Sequence, residues 1–200
     1  MKHPSTRTLF DYWNRRRGNR PAPERGDIDP ADIRGALGDT FMLAADFVDE
    51  LRFRLAGTRV CALFCREIKG ESFAAPWNAT SRKAIAGMMT AVVNGTEGAV
   101  ADLTGHAADG AEVKLEMLVL PLAYAGHARI RALGVLAPEV PPYWLGEKPI
   151  VEIELGTLRA VDTGFTGRAP GLARLADGRW LRRGLAVHRG GGIPTAELPG

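Results

Sequence analysis

Long apolar runs, cysteine and histidine are all scarce in this chain of 200 residues. The longest apolar run, 117–125, carries Pro121 in its middle and falls well short of the roughly 18–20 residues that a membrane helix needs. Two cysteines rule out a disulfide-rich scaffold. The N-terminus places Arg15, Arg16 and Arg17 after its apolar residues instead of before them, which is not the order of a secretory signal. A cytoplasmic chain without membrane insertion is the expectation. Catalytic signatures are also missing. There is no Gly-x-Ser-x-Gly turn, and Ser72 and Ser81 have no recognisable setting for a nucleophile. His106, with Asp102 four residues back, reads as a solvent-facing loop histidine. Gly190, Gly191 and Gly192 lack the spaced glycine and the Lys-Ser/Thr of a phosphate loop. No enzyme is expected.

What is present is an ordinary globular balance, 46% apolar and 24% charged. The net charge of +3 hides a partition. Lys2, Arg7, Arg15, Arg16, Arg17 and Arg20 face only Asp11 in residues 1–20, and six arginines face only Asp177 and Glu197 in residues 163–200. The body between is acidic. Basic arms on an acidic body suit either an acidic partner or a return of the arms onto their own chain; a nucleic-acid-gripping domain would carry its charge on the body.

Along the chain, 5–17 reads as a helix capped by Ser5 or Thr6, with Leu9, Phe10 and Trp13 on one side, arginines in the last turn and Gly18 as a stop. Its apolar stripe must pack on something: its own domain, a second copy, nucleic acid or a membrane surface. Residues 18–30 are a linker. A short helix starts at Asp29-Pro30. Strands follow at 41–47 and 51–56, then a short helix at 58–65 and a long one at 79–93 capped by Asn78 or Thr80. Three more strands are expected at 99–105, 112–122 and 129–137, the first two joined by an Asp109-Gly110 hairpin. Residues 150–161 offer one more extended stretch. From 163 the chain is rich in Gly and Arg and reads as mostly disordered. The division is a basic helix and linker at 1–25, a domain at 26–162, and a tail at 163–200. The class is α+β: one antiparallel sheet of five strands, with the helices on one face.

This order resembles the PAS fold, two strands, helices and a three-stranded meander. The strings FRLAGT at 53–58, RVCALF at 59–64 and KGESF at 69–73, with Trp77, Trp13 and the DIDP at 27–30, resemble more narrowly the single-PAS-domain family common in alphaproteobacteria. Arg54, Gly57 and Thr58 carry the signature. One departure is Cys65, where the family pattern has glycine; a helix end needing left-handed backbone would be strained there. The resemblance implies a sensor or adaptor that signals through a protein partner, pairs as a homodimer through its N-terminal helix, and holds any small ligand between sheet and helices. On that reading Leu55, Phe64, Trp77, Ile85, Met89 and Leu115 line the pocket. The alternative is a nucleic-acid-binding regulator using both basic arms.

The resemblance brings haem and flavin into view, and the residues argue against both. The long helix has no His, Cys or Tyr to ligate haem iron, only Met88 and Met89. The stretch 59–65 does not match the flavin-adduct motif. Cys61 and Cys65 share a helix face, which admits a redox or metal pair. Apolar neighbours Val60, Leu63 and Phe64 favour inert thiols, and zinc wants about four ligands.

Overall fold

A strand buried on both faces accounts for the apolar run near 117. In β4 (Glu112–Pro121), Val113, Leu115, Met117 and Val119 enter one apolar cluster while Leu118 and Leu120 enter another. Period-2 alternation sends these two sets to opposite sides, so the sheet needs a cover on each. In the computed structural model, which describes residues 1–45, 50–94, 98–123, 130–161, 172–174 and 180–182, the two covers come from opposite ends of the helical inventory. Helices α2 (Thr58–Leu63) and α3 (Ala79–Asn94) cover one face and α1 (Pro4–Arg17) the other. The N-terminal helix, expected to pack on its own domain or on a partner, closes the second face: Leu9, Tyr12 and Trp13 lie against Met42, Leu118, Leu120, Leu133 and Val135. The Trp13 indole donates to the Pro121 carbonyl at 2.8 Å.

The sheet has six strands instead of the expected five. β1 (Thr40–Ala45), β2 (Leu51–Ala56), β3 (Gly98–Ala107), β5 (Ile130–Pro138) and β6 (Ile150–Val161) join β4 in the order β2-β1-β5-β4-β3-β6, all pairs antiparallel. The stretch 150–161 is thus a strand of this sheet. It pairs along the whole of β3, whose outer edge would otherwise expose a row of unmet backbone groups. β3 also runs past His106, so that histidine belongs to a strand and not to a loop. The turn beyond it is the expected one, with Gly110 at φ +85°.

Local signals hold with small shifts. α1 is capped by His3, whose Nδ1 accepts from the Ser5 N–H, rather than by Ser5 or Thr6. Asp29 caps a 3-10 turn, Pro30–Ile33, shorter than the helix expected there. Asn78 caps α3 by accepting from the Ser81 N–H. Cys65, where the resembled family has glycine, adopts φ +53°, the only positive φ of a non-glycine among the described residues.

Residues Met1–Pro170 form one compact unit. The linker is stitched into it: Ala123 donates to the Pro23 carbonyl at 2.8 Å, so residues 1–25 are built into the domain and do not stand apart as an arm. Gly171–Gly200 is a second unit, in which β7 (Leu172–Arg174) and β8 (Trp180–Arg182) pair antiparallel. The rest of the tail, and with it the expectation of disorder, lies outside the described residues.

Candidate ligand cavity

Between α2 and α3 the chain makes a strap that bonds to both outer strands. On the β2 side, Phe53 donates to the Glu71 carbonyl, Gly70 to the Phe53 carbonyl and Phe73 to the Leu51 carbonyl, at 3.0, 2.7 and 2.9 Å. On the β6 side, Ile153 donates to the Pro76 carbonyl at 2.7 Å and Asn78 to the Ile153 carbonyl at 3.0 Å. The Ser81 hydroxyl then accepts from the Leu155 N–H at 2.8 Å. A flat six-stranded sheet would set its outer strands about 24 Å apart. The crossing from Phe73 to Trp77 is shortened by two turn bonds, Ala75 N–H to Ser72 and Trp77 N–H to Ala74, so the sheet curls toward the strap. The same bonds shield both sheet edges from stray pairing.

Under the strap lies a cavity of about 480 Å³. Phe73, Ala74 and Trp77 come from the strap, Arg82, Ile85, Ala86, Met89, Thr90 and Val93 from one side of α3, and Ala45, Glu50, Leu51 and Arg131 from the sheet and its edge. Three of the six expected pocket residues, Trp77, Ile85 and Met89, line it. Phe64 and Leu115 are buried in the same apolar cluster but do not reach this cavity. Leu55 is corrected outright. A bulge makes Leu43 pair with Phe53 and Met42 with Leu55, so Arg54 is the extra residue and Leu55 turns to the opposite face, 42% exposed.

Apart from Trp77, the aromatic cluster behind the cavity was not read from the sequence. Trp77 meets Phe73 edge-on at 5.7 Å, and Phe73 touches Phe53 and Phe41 at 5.6 and 6.0 Å. Spread over 41–77, these residues have no periodic signal in common. Trp77 is 2% exposed, and its indole N–H has no partner among the described residues. Arg82 stands beside it, donating to the Trp77 carbonyl at 3.0 Å. Glu50 is ion-paired to Arg52.

The signature residues lie elsewhere. Arg54 is exposed on β2, and Thr58 is the first residue of α2 and does not cap it; Gly57 holds the cap position. Gly57 is there because of crowding: a Cβ on it would sit 2.1 Å from the Leu37 carbonyl oxygen. Its neighbour Arg59, which the sequence reading passed over, grips Asp39 with two nitrogens at 2.7 and 2.8 Å. Asp39 also accepts from the Ser5 hydroxyl at 2.5 Å, which ties α1 to α2. Burial works to raise the Asp39 carboxyl, and the Arg59 and Ser5 hydrogen bonds outweigh it, so the group lies below its ordinary range. Glu116, fully buried, accepts from the backbone N–H groups of Lys2 and His3 at 2.6 and 3.0 Å. It too is held low, burial opposing and those two donors prevailing.

Cys61 and Cys65 are both free thiols, and burial pushes the Cys61 thiol up, away from the reactive thiolate. His106 sits between Glu112 and Glu154 at 3.4 and 3.5 Å. No cluster of three or more metal-type side chains occurs among the described residues, and no helix among them is long and apolar enough to cross a membrane.

No curated protein matches this chain. Among solved structures, a PAS domain of a protein from Colwellia psychrerythraea is similar at 13% identity and a TM-score of 0.40, covering 55% of this chain and 97% of that one. A family model described as PAS domain matches residues 1–137, which takes in α1, the strap, the cavity wall and β1 to β5 but leaves β6 outside. The chain therefore belongs to the PAS domain family, whose members are in general sensory and signalling modules.

Proposed function

We propose that this protein is a cytoplasmic sensor or adaptor that binds a small molecule beneath the strap and reports its presence to a protein partner. The observation that carries this reading is the strap itself. One short segment supplies the aromatic wall of the cavity and is hydrogen-bonded to both outer strands. A ligand that binds one strap position better than another shifts the population of sheet-edge arrangements by that difference in affinity. Asp39, bonded to α1 through Ser5 and to α2 through Arg59, offers a route from the helical face to α1.

The test is native mass spectrometry of the full chain beside Ala86→Trp, whose indole would fill the cavity mouth. A bound small molecule present in the parent and absent from the variant supports the reading. A parent that carries none, and whose hydrogen exchange at 70–78 the variant leaves unchanged, overturns it. A homodimer through α1 would use the helix's outer side, with Arg7, Asp11 and Arg15, because the apolar stripe is spent on its own sheet. Light scattering on the intact chain decides this. The nucleic-acid alternative is weakened by ion pairs that return the basic arm to the body: Arg16 to Asp32, Arg20 to Asp27, and Lys2 to Glu139. A salt titration tests it, since phosphate binding falls steeply with salt.

A further inference from the structure

We propose that Val140, Pro141, Pro142 and Tyr143 form a docking epitope for a partner protein that presents an aromatic-lined groove for extended, proline-containing chain. This rests on the protein-partner half of the proposed function, gives it a surface and a partner chemistry, and does not depend on the cavity being filled.

The strand register sets Pro138 and Ile150 at the end of the sheet opposite to where residues 46–49, 95–97 and 124–129 join their strands, and the loop between them, 139–149, is described throughout. This loop is held on both sides of the epitope. Glu139 donates its N–H to the Lys114 carbonyl at 2.9 Å and is ion-paired with Lys2. Trp144, 4% exposed, sits in the core cluster, and the Leu145 N–H donates to the Pro142 carbonyl at 3.1 Å. Val140 and Tyr143, between these anchors, are 76% and 91% exposed, the two most exposed large hydrophobic side chains among the described residues. They lie three residues apart, which is the repeat of a polyproline II helix. The backbone is restricted to match. Each proline fixes its own φ near about −65°, and a residue that precedes proline, as Val140 and Pro141 do, is kept out of the helical region. The epitope is therefore ordered before a partner arrives, which lowers the entropy lost on binding. Its chemistry narrows the partner. Pro141 and Pro142 have no N–H, so the segment lacks the donors that a partner's β-ladder needs, and it is not helical, so it does not suit a groove built for a helix. It offers the carbonyls of Val140 and Pro141, two pyrrolidine rings, an isopropyl group and a phenol. Aromatic side chains that pack on the rings, with indole or hydroxyl donors reaching the carbonyls, are the complement. The family model ends at residue 137, so the epitope lies outside the pattern shared with the family.

The intact chain is prepared with a benzophenone side chain in place of Tyr143 and, separately, in place of Leu55, an exposed apolar residue on β2, and is irradiated in the cells that make it. A protein crosslinked from position 143 and not from 55, with the attachment mapped to a groove lined by aromatic side chains, is expected. That protein, purified, should bind the intact chain. Tyr143→Ala and Pro141→Ala should each weaken binding by at least about tenfold, while Leu55→Ala changes it by less than about twofold. Both epitope residues are exposed, so the variants should melt with the parent. A crosslink from 143 to a second copy of this chain or to lipid overturns the proposal, as does an attachment site without aromatic residues, or unchanged affinity in either epitope variant. A protein crosslinked from 55 alone overturns the epitope while leaving the partner reading in place, and no crosslink from 143 overturns it whatever position 55 does. Each of these results leaves the cavity to be decided by native mass spectrometry.

Discussion

Asp39 and Glu116 are the two carboxylates on which the N-terminal helix hangs. Both lie below their ordinary values of 3.8 and 4.5. A group depressed in the folded state contributes stability that is complete above its unfolded value and is lost as pH falls through its folded one. The melting temperature of the parent should therefore be flat above about pH 5 and drop steadily from about pH 4.5 downward. Asp39→Asn should lower it at neutral pH by about 1–3 kcal/mol of stability and make the acid limb shallower, as thermal melts at a series of pH values would show. Equal acid limbs in the two proteins would remove the role given to Asp39. Cys65 is a second residue-scale case. Its φ of +53° costs an L-residue roughly 1–2 kcal/mol, and its side chain is exposed. Cys65→Gly should raise the melting temperature by about 2–4 °C per kcal/mol recovered in a chain of this size. The position stood out because the family that the sequence resembles has glycine there, and only glycine takes left-handed backbone without strain.

At the scale of elements, the corner where the 3-10 turn Leu37–Asp39 meets α2 depends on Gly57. Gly57→Ala puts a methyl into the Leu37 and Gly38 backbone, at 2.1 and 2.4 Å, where no side chain can yield. A loss of at least about 2 kcal/mol is expected, read from urea denaturation, and an unchanged midpoint would contradict the crowding. The strap makes a milder prediction. Ser81→Ala removes the acceptor for the Leu155 N–H and should cost about 1 kcal/mol, with faster hydrogen exchange at Leu155 and in 76–78. The elements themselves were mostly readable, since α1, α3 and β1 to β5 each announce themselves by period and cap. The candidate site was readable only in part. Ile85 and Met89 follow from the stripe of α3, but Leu55 was placed inward on unbroken alternation, and the bulge at Arg54 reversed it. Nothing local marks a bulge here, because it is decided by how β1 and β2 must register against each other and against β5.

For the whole molecule, the three layers of the first unit make α1 a structural cover. Removing residues 1–20 should strip Leu9, Tyr12 and Trp13 from Met42, Leu118, Leu120, Leu133 and Val135, with burial of each large side chain contributing about 1.5–3 kcal/mol. The shortened chain should bind a hydrophobic dye and aggregate in light scattering, while the intact chain binds no dye and keeps one defined size; a well-behaved shortened chain would refute the cover. Basic residues near the N-terminus, suggestive of a partner when read in sequence, return to acidic residues of the same chain at Asp32, Asp27 and Glu139.

The sequence alone determined the order of strands and helices, the Asp109-Gly110 turn and the cap at Asp29, and narrowed the cap of α3 to Asn78 or Thr80, because each is a matter of neighbours within a turn or two. Only the tertiary structure decided that α1 closes the second face, that 150–161 completes the sheet, and that one strap reaches both outer strands. Those outcomes depend on residues far apart in the chain competing for the same apolar surface and the same unmet backbone bonds, and the cavity exists only after that competition is resolved.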